Sequence, residues 1–329
     1  MKKRVVGIAL ILVLLLSLVG QNVFAGGKAE APKKDGYTFG FAMPMLTNSY
    51  WIPLLYGIRS ECEKLGINLI EVEAGGFGNL DKQISQIENL MQQGVDALLV
   101  GATDGAGVVA IVEQAMDMGI PVVGVGSQPK TDKMTTKVLA DDYDMGVIQA
   151  EALAEILNGK GEVAMFSGPP GNNWSEDRAD GFRDTVAAKY PGLKIVAEQW
   201  TEVSRTIAID LMETWIQAFP NLQGIYSAND DLAAAAVTAI VGANKQNQIK
   251  VASANPTDAG FENLKNNLMA AFAIQQTVLQ GQEGVRAALK AVKGEPTEKV
   301  VVTSALKLTA ENFATFDFSS VRHPDWFKP

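Results

Sequence analysis

The chain has a single cysteine, Cys62, and a single histidine, His323. One thiol cannot form an intrachain disulfide, and a zinc site of several Cys or His ligands cannot be assembled from two residues so far apart in sequence. A Ser-His triad would have to recruit a histidine six residues from the C-terminus. Cys62 reads as a half-buried helix residue and His323 as a tail residue, and neither a metal nor a cofactor is expected. Basic side chains are also scarce, 28 against 37 acidic ones, for a net charge of -9. Such a surface repels a phosphate backbone, which argues against nucleic acid as a partner. Neither G-x-x-x-x-G-K-[ST] nor G-x-G-x-x-G after a strand occurs, so nucleotide phosphates lack their cradle. With 47% hydrophobic residues in 329, the chain is globular rather than disordered and long enough for two domains.

Only one apolar run is long, Val5 to Val19, and it falls short of the roughly 20 residues that span a bilayer. Lys2, Lys3 and Arg4 precede it and Val23-Phe24-Ala25 follows. This is the pattern of an export signal ending at Ala25, with an uncleaved anchor as the competing reading. No cysteine follows the run to carry a lipid, so the expected product is an exported, periplasmic protein. Losing three basic and no acidic residues would move its charge from -9 to -12. Gly26 to Gly36 has no apolar periodicity and reads as a flexible leader.

From Tyr37 onward, short β-branched or apolar runs alternate with segments of helical period. Strands are expected at 38–43, 68–73, 97–100, 122–125, 162–166, 194–199, 224–227, 250–254 and 270–275, with a helix after each. Such alternation predicts an α/β protein of parallel sheets covered by helices on both faces. Nine units exceed a comfortable open sheet, so two doubly wound lobes are expected, with a closed eightfold barrel as the competitor. Against the barrel, the patch Val138 to Ala140 is followed by Asp141-Asp142 and reads as a crossover between lobes.

In open parallel sheets, ligands collect beyond the carboxyl ends of the strands. The first such loop holds Asn48, Tyr50 and Trp51. Adjacent aromatics at a helix start point in different directions, so at least one is expected to face a ligand; Asn48 is equally suited to cap the helix. The second loop, Glu73 to Gly78, reads as a glycine turn with Phe77 as an extra wall. Trp174, among turn residues with no apolar stripe to join, either covers a neighbouring loop or waits for a ligand. Arg178 and Asp180 read as solvated or local ion pairs. Asn229-Asp230 and Asn255 to Asp258 end two successive strands, where Asp serves as helix cap or polar wall. The carboxylates Glu176, Asp230 and Asp258 leave an exported acid-base enzyme as a minor alternative. Trp215 sits in an apolar stripe with Leu211 and Met212 and reads as core.

These motifs, together with QGVDALLV (93–100), GIPVV (119–123), ADDYDMG (140–146), RADGF (178–182) and SANDDLAAAA (227–236), resemble a type I periplasmic binding protein of the ribose- and galactose-binding, LacI-like kind. NSYW and EAGGF make the first lobe most similar to TorT-type periplasmic partners of a sensor kinase. The resemblance implies lobes of 37–140 plus 276–302 and 141–275 plus 303–329, joined by a three-crossover hinge. It implies no enzyme activity, a monomer, and ligand contacts at Asn48, Tyr50, Trp51, Trp174, Glu176, Asn229, Asp230, Asn255 and Gln275, with Ser127 and Phe77 as further candidates. The implied partner is an ABC permease that receives a sugar or related small solute, or alternatively the periplasmic domain of a sensor kinase, for a methylamine or N-oxide ligand. Sugar binders place an Asp-Arg pair after the GIPVV strand; here Gly126-Ser127 stands instead, which weakens the pentose or hexose reading.

Overall fold

A computed structural model describes residues 36–46 and 50–329. The expected signal and almost all of the leader lie outside these residues, as does Asn48. Among the described residues, no helix is long and apolar enough to cross a membrane.

The first sheet contains β1 (Thr38–Met43), β2 (Asn68–Glu73), β3 (Ala97–Val100), β4 (Val122–Val125), β5 (Thr136–Ala140) and β11 (Val300–Thr303), in the order β11-β5-β4-β3-β1-β2. All of its pairings are parallel. The second contains β6 (Lys160–Gly168), β7 (Gly192–Trp200), β8 (Leu222–Ser227), β9 (Lys250–Ala254), β10 (Met269–Ile274) and β12 (Leu306–Leu308), in the order β12-β10-β9-β8-β6-β7. Only the edge strand β12 runs antiparallel, against β10. Two open sheets replace the barrel alternative.

Side chains of a strand alternate between faces, and both faces here are buried. Phe39, Phe41 and Met43 of β1 pack beneath α1 (Trp51–Leu65) and α9 (Thr277–Val292). Ala42 points the other way, to a core shared with Ile87 and Leu90 of α2 (Leu80–Gln92) and Ile111 of α3 (Val109–Asp117). The second sheet is covered on one face by α6 (Arg205–Ala218), α7 (Asp230–Gly242) and α8 (Asp258–Lys265), with Trp215 in the core as expected. Its other face meets α4 (Asp142–Ile156) and α5 (Asn173–Lys189) through Leu153, Met165, Phe182 and Tyr226.

Two helix pairs approach closely because glycine stands at the contact. A Cβ on Gly57 of α1 would lie 2.1 Å from the Val278 carbonyl oxygen of α9, and one on Gly281 would lie 2.4 Å from that of Leu54. Between α4 and α5, a Cβ on Gly146 would lie 2.0 Å from the Arg178 oxygen and one on Gly181 2.0 Å from the Tyr143 oxygen. The first pair is further tied by Glu61, whose oxygens accept from Arg286 Nε at 2.9 Å and Nη2 at 3.1 Å. Burial alone would raise the Glu61 carboxyl, but the guanidinium prevails and holds it below the ordinary range.

The chain passes between sheets three times, after β5, after β10 and after β11, and these passages bond to one another. Asp141 N donates to Thr303 O (3.1 Å), Thr303 Oγ1 to Leu139 O (3.1 Å) and Gln276 Nε2 to Ser304 O (2.9 Å). Beyond β12 the tail packs Phe313 and Phe318 on Phe261 of α8. Ser320 O then accepts from Val278 N and Leu279 N in the first turn of α9. Finally Phe327 is buried in the first lobe's core against Tyr56, beneath Arg59.

Two sequence expectations change. The segment from Thr135 to Asp144 is a crossover only after Ala140; before it runs β5, internal to the first sheet and too mixed in pattern to announce itself. Cys62 is fully buried rather than half-buried, and burial pushes its thiol up to about 12, which makes it unreactive.

Gly146→Ala should destabilise the protein by about 1–3 kcal/mol in denaturant unfolding, although alanine is the better helix former by about 1 kcal/mol, because backbone must move to admit the methyl. Unchanged stability would show that α4 and α5 are not held at this spacing.

Candidate functional site

A cavity of about 410 Å³ opens between the two sheets at the carboxyl ends of their strands. Its first-lobe wall carries Tyr50 and Trp51, Phe77, and Gly126-Ser127 after β4. Its second-lobe wall carries Trp174 and Arg178 of α5, Asn229 to Asp231 after β8, and Asn255 and Thr257 after β9. Asp142, Gln275 and Gln280 line it where the chain crosses.

Trp51 is only 2% exposed and belongs to the first lobe's core, presenting part of its ring to the cavity. The adjacent rings meet edge-on, 5.4 Å apart, so Tyr50 takes the other direction and donates its hydroxyl to Gln280 Oε1 at 2.6 Å. Burial, reinforced by Asp142, holds the Tyr50 phenol well above its ordinary range, so the hydroxyl stays protonated. Room for the indole comes from glycine: a Cβ on Gly101 would lie 2.3 Å from it, and one on Gly126 2.8 Å. Gly126 also has φ of 69°, a left-handed conformation that favours glycine. At Gly126 the departure thus has a steric cause, since the paired rings fill the space a larger residue would need. Ser127 Oγ donates to Ala102 O at 2.5 Å.

Trp174 occupies the first turn of α5, not an isolated turn, and Arg178 lies one helical turn on with its guanidinium 4.9 Å from the indole centroid. Arg178 is no solvated residue: it is 3% exposed, donates Nε to Asp142 Oδ1 at 2.8 Å and Nη1 to Ala228 O at 2.8 Å, and pairs Nη2 with Asp142 at 2.6 Å. Gln275 Nε2 reaches the same Asp142 oxygen at 3.5 Å. The ion pair therefore joins α5 to the first crossing and, through Gln275, to the second.

Asn229 caps α7, its Oδ1 accepting from Leu232 N at 3.1 Å. Asp230 is 2% exposed; its Oδ2 accepts from Thr257 N at 2.7 Å and from the Thr257 hydroxyl, while Oδ1 has no partner. Burial pushes the Asp230 carboxyl above its ordinary range against those bonds. Asn255 has φ of 52°, and its Oδ1 accepts from Gln275 N at 3.0 Å.

The structure thus brings Tyr50, Trp51, Phe77, Ser127, Trp174, Asn229, Asp230, Asn255 and Gln275 to one cavity. Glu176 does not join them. It faces solvent and accepts from Gly171 N at 3.1 Å, steadying the loop before α5. Sequence reasoning missed Asp142, Arg178, Thr257, Asp231 and Gln280. For Arg178 a signal existed, because its spacing of four from Trp174 places both on one helix face.

Breaking a buried ion pair strands a charge. Arg178→Ala should cost about 3–5 kcal/mol, and pairing Arg178→Met with Asp142→Leu should restore most of that stability. Thermal and denaturant unfolding of both variants checks this; a double variant as unstable as Arg178→Ala would contradict the role given to the pair. Trp51→Ala should likewise cost about 3–5 kcal/mol by core truncation, so lost binding in that variant must be read against its unfolding curve.

A family model described as a periplasmic binding protein domain matches residues 39–296. The ribose import binding protein RbsB of Bacillus subtilis is 30% identical over 283 residues, covering 86% of this chain and 90% of its own. An ABC transporter solute-binding protein from Bradyrhizobium sp. BTAi1, solved with bound Bis-Tris, superposes with a TM-score of 0.82 at 27% identity, covering 91% of this chain and 90% of its own. A carbohydrate transporter solute-binding protein from Agrobacterium radiobacter, solved with D-arabinose, gives 0.73 at 27% identity over 85% of this chain and 96% of its own. With its two crossing-linked parallel sheets and the cavity between them, the chain belongs to the type I periplasmic binding protein family.

Proposed function

We propose that this protein captures a sugar or polyol in the periplasm and delivers it to the permease of an ABC importer. The observation that carries the reading is the cavity itself, lined by aromatic rings from both lobes together with hydrogen-bonding groups anchored at strand ends and crossings. Its volume of about 410 Å³ suits a small solute. Rings such as Tyr50 and Trp174 cover the apolar face of a sugar ring, while Arg178, Asp142, Asn255 and Gln275 meet its hydroxyls. Similarity to ribose- and arabinose-binding proteins supports the same class.

Two lobes, 37–140 with 276–302 and 141–275 with the chain beyond 303, rock about the bonded crossings. The last residues ride on the first lobe through Phe327. Hinge closure around ligand is a motion known for periplasmic binding proteins. The ligand drives it only through its extra affinity for the closed form. Solute-binding proteins of this family are not enzymes, so the cavity carboxylates orient and hold rather than turn over.

Isothermal titration with pentoses, hexoses, inositols and linear polyols tests the proposal, the expected result being micromolar or tighter binding of at least one. Trp174→Ala should weaken that binding about tenfold or more while leaving the fold in place. A response to trimethylamine N-oxide and to no sugar or polyol would instead favour the sensor-kinase partner.

A further inference from the structure

We infer that the preferred solute is a polyhydroxylated amine carrying a positive charge, an aminated sugar or polyol rather than its neutral counterpart. The inference rests on the proposed sugar- or polyol-binding role and narrows it by charge. Four charged side chains border the cavity: Asp142, Arg178, Asp230 and Asp231. Arg178 is spent on Asp142, with both Nε and Nη2 on that carboxylate and Nη1 on a backbone carbonyl. Its charge is therefore matched within the protein, whereas among the described residues no cation pairs with Asp230 or Asp231, which have only the Thr257 hydrogen bonds and the first turn of α7. No second Lys or Arg lines the cavity among the described residues.

Asp230 makes the imbalance costly. It is almost fully buried, its Oδ1 accepts no hydrogen bond, and burial opposes its ionisation. A neutral sugar brings hydroxyl donors but no charge, whereas an ammonium offset by these carboxylates relieves their mutual repulsion. The aromatic surfaces serve the same ligand. Tyr50, Trp51, Phe77 and Trp174 place π-faces or edges around the space, and a cation is attracted to such faces once water is excluded. Hydroxyls of the same molecule meet Asn255, Gln275 and Gln280.

The test is titration calorimetry of the full-length mature protein at pH 7 and low salt with pairs that differ by one amino-for-hydroxyl exchange. Suitable pairs are D-glucosamine with D-glucose, 1-amino-1-deoxy-D-sorbitol with D-sorbitol, and an aminodeoxy-inositol with its parent inositol. The tightest binder should be an amine, exceeding its hydroxyl partner about tenfold or more. That advantage should shrink with added salt and fall about two- to fivefold in Asp231→Asn, whose side chain is exposed. A neutral member binding as tightly as its amine, or more tightly, overturns the inference and leaves the sugar-receptor reading standing. Binding by no member of either series overturns both.

Discussion

The site depends on one buried ion pair, Arg178 with Asp142, and on the glycines that let it form. Arg178 lies on α5 and Asp142 opens α4, and the two helices touch backbone to backbone at Gly146 and Gly181. Were the helices a methyl apart, the guanidinium could not bring Nε and Nη2 onto the carboxylate while also reaching the Ala228 carbonyl. Because Asp142 stands at the first crossing and bonds Gln275 at the second, the pair also fixes where the lobes meet. A contact that orders one wall of the cavity thus also ties together two of the crossings.

The first lobe solves a matching problem with the opposite means. Trp51 is core, yet its ring reaches the cavity because Gly101 and Gly126 leave space that side chains would fill. On this side the cavity wall is also core, while Trp174 at the start of α5 is only partly buried. The same packing keeps position 126 a glycine.

Much of this was readable in the chain. Nine strands announced themselves, the inner ones because buried parallel strands are apolar on both faces, and the helices by their own period between them. β5 escaped because its five residues mix Thr136 and Lys137 with Val138 before an acidic pair, and β11 and β12 escaped as short, half-exposed edge strands. At the site, loop aromatics and strand-end Asn and Asp residues were found by position. Arg178 was misjudged because a charge on a helix is usually solvated, and only the approach of α4 shows otherwise. Glu176 erred the other way: a carboxylate beside a loop tryptophan looked like a contact, but it bonds its own loop. Gln280 lies on a helix reached only after the second crossing, with nothing local to mark it.

The most direct measurement is a crystal structure of the protein with the tightest solute found by titration. The account predicts that solute enclosed between Tyr50 and Trp174, touching groups of both lobes, with the Arg178–Asp142 pair intact beside it. A solute seated elsewhere, or held by one lobe with the space between the sheets left to water, would contradict it.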